Sequence, residues 1–265
     1  MNEALIKKHN IKIIGKGEKV LFFVHGFGCN QDIWRYITPA FLDSHTIILL
    51  DLMGSGNSEK QYYYFEKYSN LQAHADDILA IINYLQLSNI VFIGHSVGAS
   101  IGMLASLSAP TNFSKLILIA ASPCYINEND YHGGLTNEAI EEFLETIDSN
   151  FPEWSAATAS MILGTQDENK FTNEISDSIY HYSATIAKHF AKVTLTSDCR
   201  KLLPAITLPT LILQSEQDSF VPKPVSLYLH QAIKNSLLIH INCLDHCPQL
   251  TVPNDIINAI KGFIT

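Results

Sequence analysis

The chain has 265 residues, 47% of them apolar and 16% charged, and a formal net charge of −9. That length suits one large α/β domain with a sizeable core, and the composition is an ordinary globular one. The acidic balance and the lack of a basic stripe exclude a nucleic-acid-binding surface, and no apolar run approaches the roughly 18 residues of a membrane helix.

Met1-Asn2-Glu3-Ala4-Leu5-Ile6-Lys7-Lys8 carries charges with no apolar stretch behind them, which predicts no secretory leader. Strands are expected at Ile11–Ile14, Val20–Val24 and Thr46–Asp51. A helix follows at Leu71–Leu85, with Ser69 and Gln72 at the spacing of a capping box. A strand at Asn89–Ile93 runs into a helix at Val97–Ser108, and another strand is expected at Lys115–Ala120. Near the C-terminus the order is strand Thr210–Gln214, helix Pro224–Ala232, strand Leu237–Ile241 and helix Asn254–Phe263. Several strands are apolar throughout, as in a sheet covered on both faces. The alternation predicts a mostly parallel, doubly wound sheet spanning residues 1–265 as one domain.

The alternation breaks between about Tyr125 and Arg200, where helical patterns follow one another. Ile140, Phe143, Leu144 and Ile147 fall on one helical face. Pro152 can start a second helix through Leu163. Ile175, Ile179 and Tyr182 mark a third, and Ser183 can cap a fourth carrying Ile186, Phe190 and Val193. An insertion leaving just after a strand end, where ligands sit in such sheets, reads as a cap over a site.

The site itself is marked by Gly94-His95-Ser96-Val97-Gly98, which lies between the strand at Asn89–Ile93 and the following helix. Strand, G-x-S-x-G, helix is the setting of a nucleophile elbow. The turn is sharp enough to strain the serine backbone, and side chains at the flanking positions would collide with the neighbouring strand and helix. Ser96 needs a base, because a hydroxyl is a poor nucleophile at neutral pH. Of eleven histidines, His246 lies in a loop after the last strand and completes the chain order Ser, acid, His. The acid that orients it is expected to be Asp218, in the loop after the strand ending at Gln214. Glu216 is too near the strand, Asp245 adjoins His246, and Asp51 ends an earlier strand; Asp130 stays an alternative. An oxyanion needs two donors. Val97 N–H is one, and His25-Gly26-Phe27-Gly28 offers the Phe27 N–H as the other.

Gly94-His95-Ser96-Val97-Gly98, Val24-His25-Gly26-Phe27-Gly28, Gly54-Ser55-Gly56, Ser122-Pro123-Cys124-Tyr125 and His246-Cys247-Pro248 together resemble the α/β-hydrolase superfamily. More closely, the chain resembles the branch holding the bacterial stress-response regulator RsbQ and the plant strigolactone and karrikin receptors. The likeness extends through Tyr131-His132-Gly133-Gly134, Trp154 and Ser197-Asp198-Cys199-Arg200, and Gly54-Ser55-Gly56-Asn57-Ser58 is nearer the bacterial regulator. The resemblance implies a Ser/His/Asp triad at Ser96, His246 and Asp218. It also implies a V-shaped cap of four helices over an apolar pocket.

A cap over such a triad predicts a poorly hydrated cavity, with Phe27, Trp154, Phe190 and Phe220 as wall candidates. Thr158 and Thr194 stand where the plant receptors carry larger residues. Asn127 to Glu153 holds eight acidic residues and no Lys or Arg, which reads as a solvated face or as a docking patch for a basic partner. Nothing predicts a metal, nucleotide or flavin cofactor, and the five scattered cysteines read as free thiols in a reducing cytoplasm. Two functions follow. One is a serine hydrolase of a small apolar ester or lactone, with a carbon–carbon bond hydrolase as a variant. The other is an RsbQ-like signalling protein of slow turnover with a partner such as a regulatory phosphatase of a stress pathway.

Overall fold

Seven strands hydrogen-bond into one sheet: β1 (Lys12–Gly15), β2 (Lys19–Val24), β3 (His45–Leu49), β4 (Ile90–His95), β5 (Phe113–Ile119), β6 (Thr210–Ser215) and β7 (Ser236–Ile241). Their spatial order is β1-β3-β2-β4-β5-β6-β7. Only β1 runs antiparallel to its neighbour. This computed structural model describes residues 3–164 and 171–265, so Met1 and Asn2, which open the segment read for a leader, lie outside the described residues.

The apolar runs account for the layering. Val20–Val24 and every residue of β4 and β6 are buried, because helices cover both faces there. The edge strands β1 and β7 are largely solvent-facing, and Leu237 is half exposed. Around the sheet lie α1 (Glu3–Lys8), α2 (Gln72–Tyr84) and α3 (Val97–Ser108), followed after an insertion by α8 (Lys223–Ala232), α9 (Pro248–Thr251) and α10 (Pro253–Ile264). Among the described residues no helix is long and apolar enough to cross a membrane.

Between β5 and β6 come α4 (Asn137–Ser149), α5 (Phe151–Leu163), α6 (Thr172–Tyr180) and α7 (Ala184–Leu195). Ile140, Leu144 and Ile147 bury one face of α4 while its acidic residues face outward. Asn150 Oδ1 accepts the Glu153 N–H at the start of α5, and Ser183 Oγ accepts the Ile186 N–H at the start of α7. Gly164 ends α5 in the left-handed region, at φ +62°.

The insertion is pinned to the sheet-bearing part through its α6–α7 half. Arg35 holds Glu174 with two bonds of 2.7 Å, Tyr182 donates to Ser55 Oγ at 2.5 Å, and Tyr63 bonds His189 Nδ1 at 2.9 Å. Lys60 donates to the His181 carbonyl.

Two local expectations differ from the structure. Ser69 does not cap α2: the chain enters the helix from Leu71, already helical at φ −71°, two residues beyond Ser69. Gln72 instead donates to Asp76 Oδ1 at 2.9 Å. Tyr182 falls past the end of α6, where its ring reaches the loop after β3.

Candidate active site

Strand β4 ends at His95 and α3 begins at Val97, so the chain reverses on Ser96 alone. Its backbone is held at φ +54°, ψ −125°, a strained region for serine, by its N–H donating to the Ile119 carbonyl at 2.9 Å. The flanking glycines are obligatory here. A Cβ at Gly94 would lie 2.6 Å from the Ala99 backbone, and one at Gly98 would lie 2.5 Å from the His25 carbonyl of the neighbouring loop.

The reversal presents Ser96 Oγ to His246 Nε2 at 2.8 Å. The other ring nitrogen, Nδ1, lies 2.8 and 2.9 Å from the two Asp218 oxygens. Asp218 is fully enclosed, and its Oδ1 also accepts the Phe220 and Val221 N–H groups at 2.9 Å each. With this many donors the carboxylate is held in one orientation. It fixes the proton of His246 on Nδ1 and leaves Nε2 to accept from Ser96.

The histidine loop is tied down on both sides. The His246 N–H donates to the Ile162 carbonyl of α5 at 2.8 Å, and its carbonyl accepts from His95 Nε2 at 2.7 Å. Burial pushes the His95 pKa down, so its ring is a neutral spacer beneath the elbow. The other acids have separate structural work. Asp245 accepts the Cys247 N–H, Asp51 ties Asn10, Gln31 and Asn57 together, Glu216 pairs with Lys223, and Asp130 is exposed.

The Phe27 loop lies against the elbow because a Cβ at Gly26 would meet His95 Nδ1 at 2.6 Å. His25 sets its path: Nδ1 donates to the Gly26 carbonyl at 2.8 Å and Nε2 accepts the Leu52 N–H at 3.0 Å. Among the described residues neither the Phe27 nor the Val97 N–H has an acceptor. Two such donors beside a serine hydroxyl can hold a developing oxyanion.

Ser96 and His246 open onto a cavity of about 30 Å³, room for about two waters. Phe27 and Phe220 line it, with Tyr125 from the loop after β5 and residues of α4, α5 and α7: Phe143, Thr158, Ile162, Ala191, Thr194 and Leu195. Trp154 and Phe190 do not reach the cavity, correcting their reading as walls. Both stand behind Phe27, with ring centroids 6.3 and 5.7 Å from its ring, because Trp154 Nε1 is drawn to the Phe143 carbonyl and Phe190 packs on His74. Tyr125 and the threonines were not assigned as walls from sequence. Phe143 carried a signal in its helical stripe, and Tyr125 in its place just past a strand end.

Three donor groups lie close enough to share a cation: Cys29, His95 and Cys247, with ligand atoms within 4.8 Å of one another. All three are buried, and a hydrogen bond from Cys247 pulls the Cys29 thiol pKa down. The acidic stretch is partly neutralised, since Glu128 pairs with Arg200 and Asp148 with Lys188.

Residues 19–253 match the model of the alpha/beta hydrolase fold family. Karrikin insensitive 2 receptor CA of Petunia hybrida is 35% identical over 97% of this chain and 95% of its own. A probable esterase of Oryza sativa subsp. japonica is 36% identical, over the same shares of the two chains. The solved structure of a hydrolase from Oleispira antarctica superposes with a TM-score of 0.96, at 36% identity, over 99% of this chain and 97% of the other.

Proposed function

Because this chain belongs to the α/β-hydrolase fold family, we propose that it hydrolyses a small ester or lactone, with Ser96 as nucleophile, His246 as base and Asp218 as its orienting acid. The observation that carries this is the unbroken relay of 2.8 Å contacts from Asp218 through His246 to Ser96. Ser96 Oγ attacks the carbonyl while its proton passes to His246 Nε2. The imidazolium that forms is stabilised by Asp218, and the Phe27 and Val97 N–H groups take the oxyanion. His246 then returns the proton to the leaving oxygen, and water, activated by the same imidazole, releases the acyl group. We read residues 1–265 as one domain in which about 125–200 form a cap that excludes bulk water from these steps.

A second output is favoured by the name of the Petunia relative, which is a receptor, and by a cavity too small for most ligands without movement of α4–α7. In that reading Ser96 turns its ligand over slowly and the shifted helices report it to a partner, such as a regulatory phosphatase, in RsbQ-like stress signalling. Five buried free thiols support a reducing cytoplasm as its setting.

Single-turnover and steady-state hydrolysis of a p-nitrophenyl ester series, wild type against Ser96→Ala, separates these outcomes. A Ser96-dependent burst followed by slow turnover supports the signalling output. Fast multiple turnover with a chain-length preference supports a metabolic carboxylesterase, and turnover independent of Ser96 contradicts both.

A further inference from the structure

Cys29, His95 and Cys247 take no part in the relay from Asp218 to Ser96, yet each lies beside it in the chain. Cys29 is two residues past Phe27, His95 immediately precedes Ser96, and Cys247 immediately follows His246. All three residues are enclosed, at 1%, 1% and 0% exposure. The two sulfurs and one ring nitrogen of His95 lie within 4.8 Å of one another.

The polar atoms of this cluster are only partly used. The Cys247 thiol hydrogen-bonds Cys29. His95 Nε2 meets the His246 carbonyl at 2.7 Å, and a carbonyl only accepts, so Nε2 carries the ring proton. On the neutral ring Nδ1 keeps its lone pair, and among the described residues it has no hydrogen-bond partner. An enclosed acceptor left without a partner is costly. A ring whose N–H is held by a backbone carbonyl while its other nitrogen stays open is the usual orientation of a metal-ligating histidine.

Two thiols and an imidazole are the donors of soft and borderline cations, where calcium and magnesium require oxygen. Two thiolates and a neutral imidazole balance the charge of a divalent cation, which lowers the cost of enclosing it. Two cysteines and one histidine, with a fourth position left to a small ligand, form a known zinc donor set. Zinc bonds of about 2.0–2.3 Å place such donors roughly 3.5–3.8 Å apart. The atoms here need to close by only about 1 Å, within the reach of side-chain rotation. Both thiol protons leave as the two metal–sulfur bonds form, so the cation takes their place.

We propose that Cys29, His95 and Cys247 bind one thiophilic divalent cation of the zinc(II) class. Bound there, the cation clamps together the three segments that carry Phe27, Ser96 and His246. The site stands on its own donors and holds whatever reaction Ser96 carries out.

The test uses the full chain, kept reduced with a phosphine and stripped with a chelator. Zinc(II) is loaded by incubation and, separately, by refolding from urea, so that enclosure of the site does not mask it. After desalting, wild type is expected to retain one zinc per chain by elemental mass spectrometry, and zinc should raise its urea midpoint. Cys29→Ser and Cys247→Ser should each weaken binding by at least about 100-fold, because losing even an outer partner of a ligand costs 10–100-fold. Cys124→Ser leaves the cluster intact and should bind as wild type does. If Cys247→Ser is recovered unfolded, Cys29→Ser carries the comparison. Cobalt(II) then reads ligation directly, through a thiolate charge-transfer band present in wild type and weakened in Cys29→Ser. Failure of wild type to retain zinc by either route overturns the proposal. So does zinc held equally by Cys29→Ser, or lost in Cys124→Ser instead, since the metal then sits on other thiols.

Discussion

The two sides of the cavity differ in how their polar atoms are satisfied. On the sheet side, Ser96, His246 and Asp218 bond one another, the Ser96 N–H reaches Ile119, and Asp218 takes two further backbone donors. On the helical side, among the described residues, Thr158 and Thr194 Oγ1 have no partner and the neighbouring surface is apolar. The sheet side is fixed by backbone hydrogen bonds and by glycines that no side chain can replace. The helical side is held by packing and by mostly side-chain bonds to the sheet-bearing part, from Arg35 to Glu174, Tyr182 to Ser55 and Tyr63 to His189. On the proposed reading, the chemistry lies on the side that the backbone fixes and substrate choice on the side of α4–α7.

Substitutions on the sheet side should cost activity and little stability. Ser96→Ala is expected to lower kcat/KM for an aryl ester by about 10⁴-fold or more, with the melting temperature kept within a few degrees. Asp218→Asn should lower it by about 10⁴-fold, because the amide no longer fixes the His246 tautomer. A small loss in either would break the division between the two sides.

On the helical side the order reverses. Phe190 is fully buried between Phe27 and His74, so Phe190→Ala should cost about 3–5 kcal/mol in urea denaturation. Its activity should fall less than that of Asp218→Asn. Ser183→Ala removes the cap of α7 and should cost about 1 kcal/mol, read as a shift in the urea midpoint. Ser69→Ala, outside any cap, should stay within about 0.5 kcal/mol; a larger loss would restore Ser69 as part of the start of α2.

Much of the sheet side was legible in the sequence because its signals are local. The apolar runs of β2, β4 and β6 mark buried strands, and Gly94 and Gly98 mark a turn that a Cβ would block. The helical side was legible as helices but not as a wall. Sequence periodicity says which face of α5 or α7 is apolar, but not which residue of that face meets the cavity and which meets Phe27. Trp154 and Phe190 were therefore placed one layer too far inward. Thr158 and Thr194 stand out in the sequence only as smaller than the residues of the plant receptors; an unpartnered hydroxyl is not legible there, because it is defined by what the fold fails to place beside it. The Cys29, His95 and Cys247 cluster was equally hidden, since its members come from the loop after β2, the end of β4 and the start of α9, far apart in the chain.

The central claim is that Ser96 is the nucleophile activated by His246. Brief exposure to a fluorophosphonate, followed by intact-mass and peptide mapping, tests it most directly. A single adduct on the peptide carrying Ser96, absent in Ser96→Ala and strongly slowed in His246→Ala, is the predicted result. An adduct on another residue, or labelling of Ser96 at the same rate without His246, would contradict it.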